Sequence, residues 1–324
     1  MKQPKVSVVV PMRNSFSTIL LTLKSIFEQK YPIAEIIIID NASDDDSVFK
    51  VKEFQRTNRK IPIRLLINKV NRGVGTSYNT GISCAKTSHI VCMHSDSILP
   101  TQNELKLLIE PIRSNPSIVA TYSYIITPRE IWEKFPFWEK CLLATSVGKE
   151  KAGLNGKFDC INKRVFQSIG GFDDLHYGHD IFIGGEDGDL HVRLNKAGPV
   201  VCSKARVIHL HSLDPSYSFS QWILNRKLLA RSYGRFMRIQ WRNLGFGASV
   251  FAVKPMLVIL SIIDFFPINW ILIFIFAFTS MFAMYLNPIS RRDVRIIALP
   301  FLSIFLIYYE TFWMLESFLF LPSK

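Results

Sequence analysis

Short, almost continuous apolar runs alternate with segments of helical spacing along the first 93 residues. The apolar runs cover residues 5–10, 35–39, 62–67 and 89–93, and the helical segments cover 15–29, 44–57 and 73–86. Strands that are apolar along their whole length are buried on both faces, and intervening helices supply the cover. The pattern predicts an α/β domain with a mostly parallel sheet and helices on both faces.

Polar residues follow each predicted strand, at the edge of the sheet where α/β domains bind ligands. They are Arg13 and Asn14, then Asp40, Asn41, Ser43 and Asp44, then Asn71, Arg72, Gly73 and Gly75, and finally His94, Ser95, Asp96 and Ser97. No G-x-G-x-x-G follows a strand and no G-x-x-x-x-G-K-[ST] occurs. The sequence therefore lacks the fingerprints of a dinucleotide fold and of a P-loop.

Charge and hydropathy divide the chain. Residues 244–324 carry five Lys and Arg against four Asp and Glu, so +12 of the net charge of +13 lies in residues 1–243. The five cysteines are scattered, which predicts neither a disulfide framework nor a zinc site and fits a reducing compartment. The apolar run near the N-terminus is too short for a signal peptide. We therefore expect the first domain to remain cytoplasmic.

The C-terminal part has the composition of a membrane domain. Ile268 to Leu286 is 19 residues without a charge, which predicts a transmembrane helix. Apolar segments at 248–263 and 296–321 flank it. The positive-inside rule applied to residues 291–295 favours a hairpin that turns at Asp264 to Asn269, followed by a third helix. One span with helices at the membrane interface is the alternative.

Residues 219–243 combine six Lys and Arg with aromatic and aliphatic residues at helical spacing. This pattern predicts a basic amphipathic helix on an anionic membrane surface. A nucleic-acid site would use the same residue types. The adjoining spans favour membrane lipids, so no nucleic-acid partner is expected. The predicted domains are 1–218, an interfacial helix at 219–245, and a membrane domain of two to three helices at 246–324.

A series of short motifs occurs in order between residues 6 and 209. They are Val6 to Pro11 with Arg13-Asn14, Asp40 to Asp45, Asn71 to Gly75 with Asn79 to Ile82, Ser95-Asp96, Gly170 to Asp173, Gly185 to Leu190 with Arg193, and His209. In this order and spacing the chain resembles family 2 glycosyltransferases over residues 5–212. The resemblance implies a GT-A domain and inverting transfer from a nucleotide-diphosphate sugar, with a UDP-sugar favoured.

The resemblance also implies which residues contact the nucleotide-sugar. They are Pro11, Arg13, Asn14, Asp40, Asp44, Gly73 and Ser95. Two of them have a structural alternative. Asp40 would shape a turn, and Asp44 would cap the helix that follows it.

The family's metal motif, D-x-D, is altered here to His94-Ser95-Asp96. Asp96 matches the last aspartate, and the resemblance implies that Asp96 and His209 hold Mg²⁺ or Mn²⁺. Alternation along residues 206–211 predicts that His209 and His211 share one face of a strand. His94 would contact ribose or phosphate, or would only end its strand.

For catalysis, the resemblance implies that Asp187 is the general base toward an acceptor hydroxyl and that Glu186 contacts substrate hydroxyls. The alternative is that these acids, with Asp189, only stabilise the start of a helix. A polyprenyl-phosphate acceptor needs no base, and Arg193 with the basic helix would then hold phosphate. The aromatic residues of segment 122–157 would select the acceptor or form a packed flap.

Together these features predict a multi-pass membrane enzyme with a cytoplasmic catalytic domain. It would transfer a sugar to a lipid-linked or cell-surface glycan. Two alternatives are a polyprenyl-phosphate sugar synthase and, because the first aspartate of D-x-D is missing, a catalytically silent nucleotide-sugar-binding partner in glycan assembly.

Overall fold

A computed structural model of the chain describes residues 3–177, 184–211, 217–244, 247–263 and 267–320. Its contacts divide the chain into two compact units. The sheet unit comprises Met1–Thr127, Gly148–His179 and Glu186–Leu213, and the helical unit comprises Pro128–Val147, Asp180–Gly185 and Asp214–Lys324.

The sheet unit contains a nine-stranded sheet. Its strands are β1 (Val6–Met12), β2 (Ile33–Asp40), β3 (Ile63–Ile67), β4 (His89–Met93), β5 (Ser97–Ile98), β6 (Ala120–Ile126), β7 (Glu150–Ala152), β8 (Phe158–Asn162) and β9 (Val200–His209). The order is β3-β2-β1-β4-β8-β6-β9-β5, with β7 paired to β6. The first four strands are parallel, as their apolar runs predict.

The second half of the sheet is mixed, which the predicted mostly parallel arrangement did not include. β8 is antiparallel to both β4 and β6, whereas β6 and β9 are parallel. The two-residue strand β5 pairs antiparallel with the end of β9 and sets Ser97 opposite His209. Such short pairings depend on contacts between distant segments, so local sequence patterns do not specify them.

Helices cover both faces of this sheet, as predicted. They are α1 (Ile19–Phe27), α2 (Ser47–Thr57), α3 (Val74–Cys84), α4 (Glu104–Ser114), α7 (Lys163–Ser168), α8 (Asp174–Tyr177) and α9 (Glu186–Ala197). The intervening α5 (Arg129–Trp132) and α6 (Phe137–Leu143) belong to the helical unit. Val8 and Val10 pack with α1 and α4, whereas Val9 packs on the other face with α3 and α9. Alternate residues of this strand therefore pack into two hydrophobic cores, one on each face of the sheet.

The helical unit continues with α10 (Phe219–Leu244), α11 (Gly247–Ile263), α12 (Pro267–Ser280), α13 (Phe282–Leu286), α14 (Pro288–Arg291), a 3₁₀ turn at Val294–Ala298 and α15 (Leu299–Phe320). Among the described residues, one helical stretch, Val294–Phe320, is long and apolar enough to cross a membrane. Of the predicted hairpin turn, residues 264–266 lie outside the described residues.

The prediction of one continuous helix from Ile268 to Leu286 is wrong. The helix ends at Ser280 and a separate short helix begins at Phe282. Near the break, the Ser280 hydroxyl donates to the Ala277 carbonyl at 2.7 Å. Side-chain hydroxyls that bond back to the helix backbone compete with its hydrogen-bond ladder. No Gly or Pro lies within residues 268–286, so the break could not be predicted from local helix-breaking residues.

The basic helix α10 packs along the C-terminal part of α15. The Arg231 guanidinium donates to both Glu316 carboxylate oxygens, at 2.8 and 3.1 Å, and Arg226 pairs with Glu310. The Lys227 ammonium lies 3.7 Å from the centre of the Trp313 ring. Part of the positive charge predicted to face lipid is therefore paired within the protein.

Candidate functional site

A cavity of about 350 Å³ opens at the carboxyl ends of β1, β2 and β4, where the strand order predicts a ligand site. Its lining residues are Pro11, Met12, Arg13, Asn14, Ser15, Thr18, Asn41, Asn71, Gly73, Val74, His94, Ser95 and Asp96. The structure thus brings together most of the residues predicted to contact the donor. Asp40 and Asp44 are not among the residues that line the cavity.

Three candidate metal ligands meet at one edge of this cavity. Because β5 pairs with β9, His209 Nε2 lies 3.0 Å from Asp96 Oδ2. His94 Nδ1 lies 3.9 Å from Asp96 Oδ1. The donor atoms of His94, Asp96 and His209 all lie within 4.8 Å of one another. Two ligands on opposite sides of an ion with bonds of about 2.1 Å stand about 4.2 Å apart, so small movements let all three reach one ion.

The protonation states of Asp96 and His94 are those of cation ligands. Burial alone would raise the pKa of Asp96, but the charge and hydrogen bond of His209 lower it well below the usual carboxyl range. Burial lowers the pKa of His94 to about 3, so its ring is neutral and keeps a lone pair. Asp96 Oδ1 is buried, and no described residue hydrogen-bonds it. An unsatisfied carboxylate oxygen beside a neutral imidazole fits a bound divalent ion.

Hydrogen bonds between the loops after β1 and β2 shape the cavity wall. Asn14 adopts a left-handed conformation with φ 47°, and its side-chain oxygen accepts the backbone N–H of Asp44 at 3.0 Å. The Ser15 and Ser95 hydroxyls lie 2.8 Å apart and join this loop to the metal-ligand segment. Arg13 and Asn14 are thereby presented to the cavity from a fixed backbone.

Asp40 and Asp44 have different surroundings from each other. Asp40 is buried and accepts hydrogen bonds from the Ser43 hydroxyl at 2.5 Å and its N–H at 3.3 Å, as the turn-shaping alternative requires. Asp44 is exposed, whereas Asp45 accepts the Ser47 N–H at the start of α2. Nucleoside contact by Asp40 and Asp44 stays a prediction.

Asn41 lines the cavity but was not among the predicted contact residues. Its amide donates to Asn71 at 2.6 Å and its oxygen accepts the Arg72 N–H at 2.8 Å, so it links the ends of β2 and β3. Gly73 follows with φ 83°, a conformation that favours glycine, and begins α3. The signal for Asn41 was its position directly after Asp40.

The predicted catalytic acids begin α9. Glu186 is buried and Asp187 is half-buried. Burial raises the pKa of both carboxyls, and the Asp187 charge raises that of Glu186 further. Asp189 differs, because it pairs with Arg193 at 2.6 Å within the same helix. Helix stabilisation thus accounts for Asp189, while the raised pKa values of the other two are typical of acid and base groups in active sites.

Two further buried groups complete the site's surroundings. Burial raises the pKa of Tyr78 well above its usual range, and the charges of Asp187, Asp159 and Asp96 add to this shift. Asp159 is buried on β8 and accepts the N–H groups of Asn155 and Gly156 at 2.8 and 2.6 Å. Burial raises its pKa to about 8. Neither Tyr78 nor Asp159 lies in one of the sequence motifs, so neither was among the predicted site residues.

Residues 7–167, about half of the chain, match the sequence profile of glycosyl transferase family 2. The chain carries a family 2 glycosyltransferase domain. The poly-β-1,6-N-acetyl-D-glucosamine synthase of Staphylococcus epidermidis is 28% identical over 115 residues, which are 36% of this chain and 27% of the relative. An Escherichia coli UDP-Glc:α-D-GlcNAc-diphosphoundecaprenol β-1,3-glucosyltransferase, WfgD, is 30% identical over 131 residues, 40% of this chain and 50% of the relative. The matched segments thus span half or less of these relatives.

Solved structures give the same fold for the glycosyltransferase domain. The mannosyltransferase PcManGT from Pyrobaculum calidifontis, solved with GDP-Man and Mn²⁺, has a TM-score of 0.63 at 16% identity, and the alignment covers 97% of this chain and 88% of that one. GalNAc-T7, solved with UDP, GalNAc and Mn²⁺, has a TM-score of 0.52 at 16% identity and covers 74% of this chain and 48% of that one. The fold is GT-A, as expected.

Two predicted contacts of the glycosyltransferase are placed differently. β9 ends at His209, and His211 follows it in a left-handed conformation with φ 57°, so the two do not share a strand, although their rings lie together with centres 4.0 Å apart. Arg193 donates to the carbonyls of Ile169 and Gly171 at 2.9 and 2.6 Å, besides pairing with Asp189. These hydrogen bonds let Arg193 stabilise the Gly170-Gly171 turn, and they occupy the guanidinium that was predicted to hold phosphate.

Most of the aromatic side chains singled out in segment 122–157 are buried. Trp132, Phe135 and Phe137 are buried, and Trp138 stacks on Trp222 of α10 with ring centres 5.1 Å apart. The Arg295 guanidinium lies 4.4 Å from the centre of the Phe137 ring. These contacts match the packed-flap alternative for the aromatic residues.

Proposed function

We propose that this chain is an inverting, metal-dependent glycosyltransferase that uses a nucleotide-diphosphate sugar. The observation that carries the proposal is the 3.0 Å approach of His209 Nε2 to Asp96 Oδ2 at the edge of a 350 Å³ cavity. Asp96 and His209 would hold Mg²⁺ or Mn²⁺. When bound, a divalent cation neutralises charge on the diphosphate leaving group.

Side chains of the protein then bind the donor and move the proton. Arg13, Asn14, Gly73 and Ser95 surround the nucleotide and fix its orientation in the cavity. Asp187 accepts the proton of the acceptor hydroxyl as that oxygen attacks the anomeric carbon, and the diphosphate leaves from the opposite face. Glu186, with its raised pKa, holds a proton at neutral pH and donates a hydrogen bond to a substrate hydroxyl.

The donor and acceptor are proposed from the relatives. The names of the Escherichia coli and Staphylococcus epidermidis relatives specify UDP-glucose with a diphosphoundecaprenol-linked acceptor, and synthesis of a poly-N-acetylglucosamine. They support a UDP-sugar donor and a lipid-linked or cell-surface glycan acceptor. GDP-mannose, bound by PcManGT, is the competing donor.

Release of nucleotide from a panel of UDP-, GDP- and dTDP-sugars tests the proposal, with extracted lipids as acceptors and with Mn²⁺ or Mg²⁺. We expect one donor to be consumed and Asp96→Ala to abolish its consumption. Asp46→Asn is the matched control, because Asp46 is exposed and makes no capping bond. Donor consumption by Asp96→Ala at the wild-type rate would contradict the proposal. Absence of turnover with every donor would favour a catalytically silent binding partner.

The polyprenyl-phosphate synthase alternative is separated by Asp187→Asn. Transfer to a hydroxyl needs a base, whereas a phosphate oxygen is already ionised. If the variant loses transfer to glycan acceptors, the hydroxyl mechanism holds. If it retains transfer to a polyprenyl phosphate, the alternative holds. The bonds that occupy Arg193 make it a poor phosphate ligand.

We also propose that the helical unit holds the enzyme at the cytoplasmic face of the cell membrane. Many large apolar side chains of its helices are exposed, among them Ile271 and Phe274 of α12 and Phe301 and Phe305 of α15. Contiguous apolar surface of this kind fits lipid. α12, with 14 residues, is about 21 Å long, short of a bilayer core of about 30 Å, so Val294–Phe320 is the candidate span. Labelling of single cysteines at residues 219 and 320 in intact and opened cells tests which side each end occupies.

A further inference from the structure

His94 stands where the family pattern has the first aspartate, at the end of β4, and its role follows from what surrounds its ring. Nδ1 faces Asp96 Oδ1 at 3.9 Å, too far for a hydrogen bond. The ring is also stacked against Tyr78, with centres 6.4 Å apart. The imidazole therefore points a nitrogen at a buried carboxylate oxygen without bonding to it.

Gly156 fixes the other side of the ring. A Cβ at this position would lie 3.2 Å from His94 Nε2, and its backbone has φ 71°. The loop itself is held in place, because Asp159 accepts the Gly156 N–H at 2.6 Å and the Gly156 carbonyl accepts the Tyr78 hydroxyl at 2.6 Å. The backbone behind Nε2 thus keeps Nδ1 directed toward Asp96.

We propose that His94 is a third protein ligand of the cation, through Nδ1, and that it makes the site selective for Co²⁺ and Mn²⁺ over Mg²⁺. The inference rests on the cation site of the proposed function. It would give the ion two imidazole nitrogens and one carboxylate. Mg²⁺ favours all-oxygen ligands, whereas imidazole nitrogen suits first-row transition metals, whose affinities rise from Mn²⁺ to Co²⁺.

The test is metal binding, without any sugar donor. The purified full chain in detergent is titrated with Co²⁺, Mn²⁺ and Mg²⁺ by calorimetry, and Co²⁺ binding is also followed by its visible absorption. We expect the wild type to bind Co²⁺ most tightly and Mg²⁺ most weakly. His94→Ala should weaken Co²⁺ and Mn²⁺ binding by at least the roughly 10- to 100-fold that loss of an outer-shell partner costs.

His94→Asp is the second variant, because it restores an oxygen ligand at the same place. It should narrow the preference for Co²⁺ over Mg²⁺ and change the Co²⁺ absorption spectrum. His89→Gln, at the opposite end of β4, is the matched control and should bind as the wild type does. Circular dichroism of each variant checks folding, and His94→Asn replaces His94→Ala if that variant does not fold.

The outcomes separate this inference from the proposed function. If Asp96→Ala loses metal binding while His94→Ala and His94→Asp bind Co²⁺ and Mn²⁺ as the wild type does, the role of His94 is overturned and the cation site stands. If Asp96→Ala also binds with wild-type affinity, the cation site of the proposed function falls as well. Weakened binding in His94→Ala with altered selectivity in His94→Asp supports the inference.

Discussion

Asp96 and His209 are 113 residues apart in the chain and 3.0 Å apart in the structure. The register of β5 with β9 produces this approach, because it places Ser97 opposite His209 and bonds the Leu210 N–H to the Asp96 carbonyl at 2.8 Å. The candidate cation site is therefore held by backbone pairing on two sides.

The pH dependence of transfer should follow Asp187. Burial raises the pKa of this carboxyl to about 6, and a general base acts only when ionised. For a hydroxyl acceptor, we expect kcat/KM to be level between about pH 6 and the pKa of Glu186, about 8, and to fall about tenfold per pH unit below pH 6. Asp187→Asn should abolish transfer at every pH. A wild-type profile that stays flat to pH 4.5 would contradict the assignment.

Asp159 should make the folded state less stable as pH rises. Its pKa is about 8 when folded, against about 3.9 in an unfolded chain. Between these values the folded protein keeps a proton that the unfolded chain has released, so stability declines with increasing pH. Asp159→Asn removes this titration, and its side-chain oxygen still accepts the Asn155 and Gly156 N–H groups.

Thermal unfolding measured from pH 5 to pH 8 tests whether Asp159 lowers stability as pH rises. The unfolding midpoint of Asp159→Asn minus that of the wild type should increase as pH rises from 5 to 8. A constant difference between the two midpoints does not affect this test. Asp46→Asn, an exposed change of the same type, should track the wild type. Parallel curves for the wild type and Asp159→Asn would show that residue 159 is ionised throughout.

The ion pair between Arg231 and Glu316 should stabilise the packing of α10 on α15. The pair is bidentate, and its side chains are 19% and 29% exposed. We expect Arg231→Glu alone to lower stability by about 1 kcal/mol or more, because it sets like charges together. Adding Glu316→Arg should recover part of the loss. Additive effects of the two changes in a double-mutant cycle of thermal unfolding would exclude a coupling between the residues.

Gly234 allows α10 to approach α15 closely. A Cβ at Gly234 would lie 2.1 Å from the Met314 carbonyl oxygen, which belongs to the backbone and cannot turn aside. We expect Gly234→Ala to destabilise the protein by about 1–3 kcal/mol, since overpacking outweighs the roughly 1 kcal/mol gain in helix propensity. Gly153→Ala is the control, because a Cβ there meets only the Asn155 side chain at 3.7 Å. A Gly234→Ala variant more stable than the wild type would show that the helices lie farther apart.

Local patterns were enough to predict the first half of the sheet. β1, β2 and β4 are apolar at successive positions, and this property alone requires burial on both faces and helical cover. The same parallel order placed Arg13, Asn14 and Ser95 at one edge, so the cavity was predictable in outline. The motifs also located Asp96, His209 and the acids at the start of α9.

Contacts between distant segments decided the rest. The Gly156 loop contacts Tyr78 and Asp159, and β8 pairs with β4, the strand that His94 follows. No local sequence pattern relates this loop or β8 to β4. The break after Ser280 and the pairing of Arg231 with Glu316 were likewise hidden, because apolar composition gives a helix's length but not its partners. The sequence by itself determined which segments are buried and which residue types end the strands. Only the tertiary structure decided which of those side chains share one site, since strand register and helix packing depend on side chains far apart in the chain.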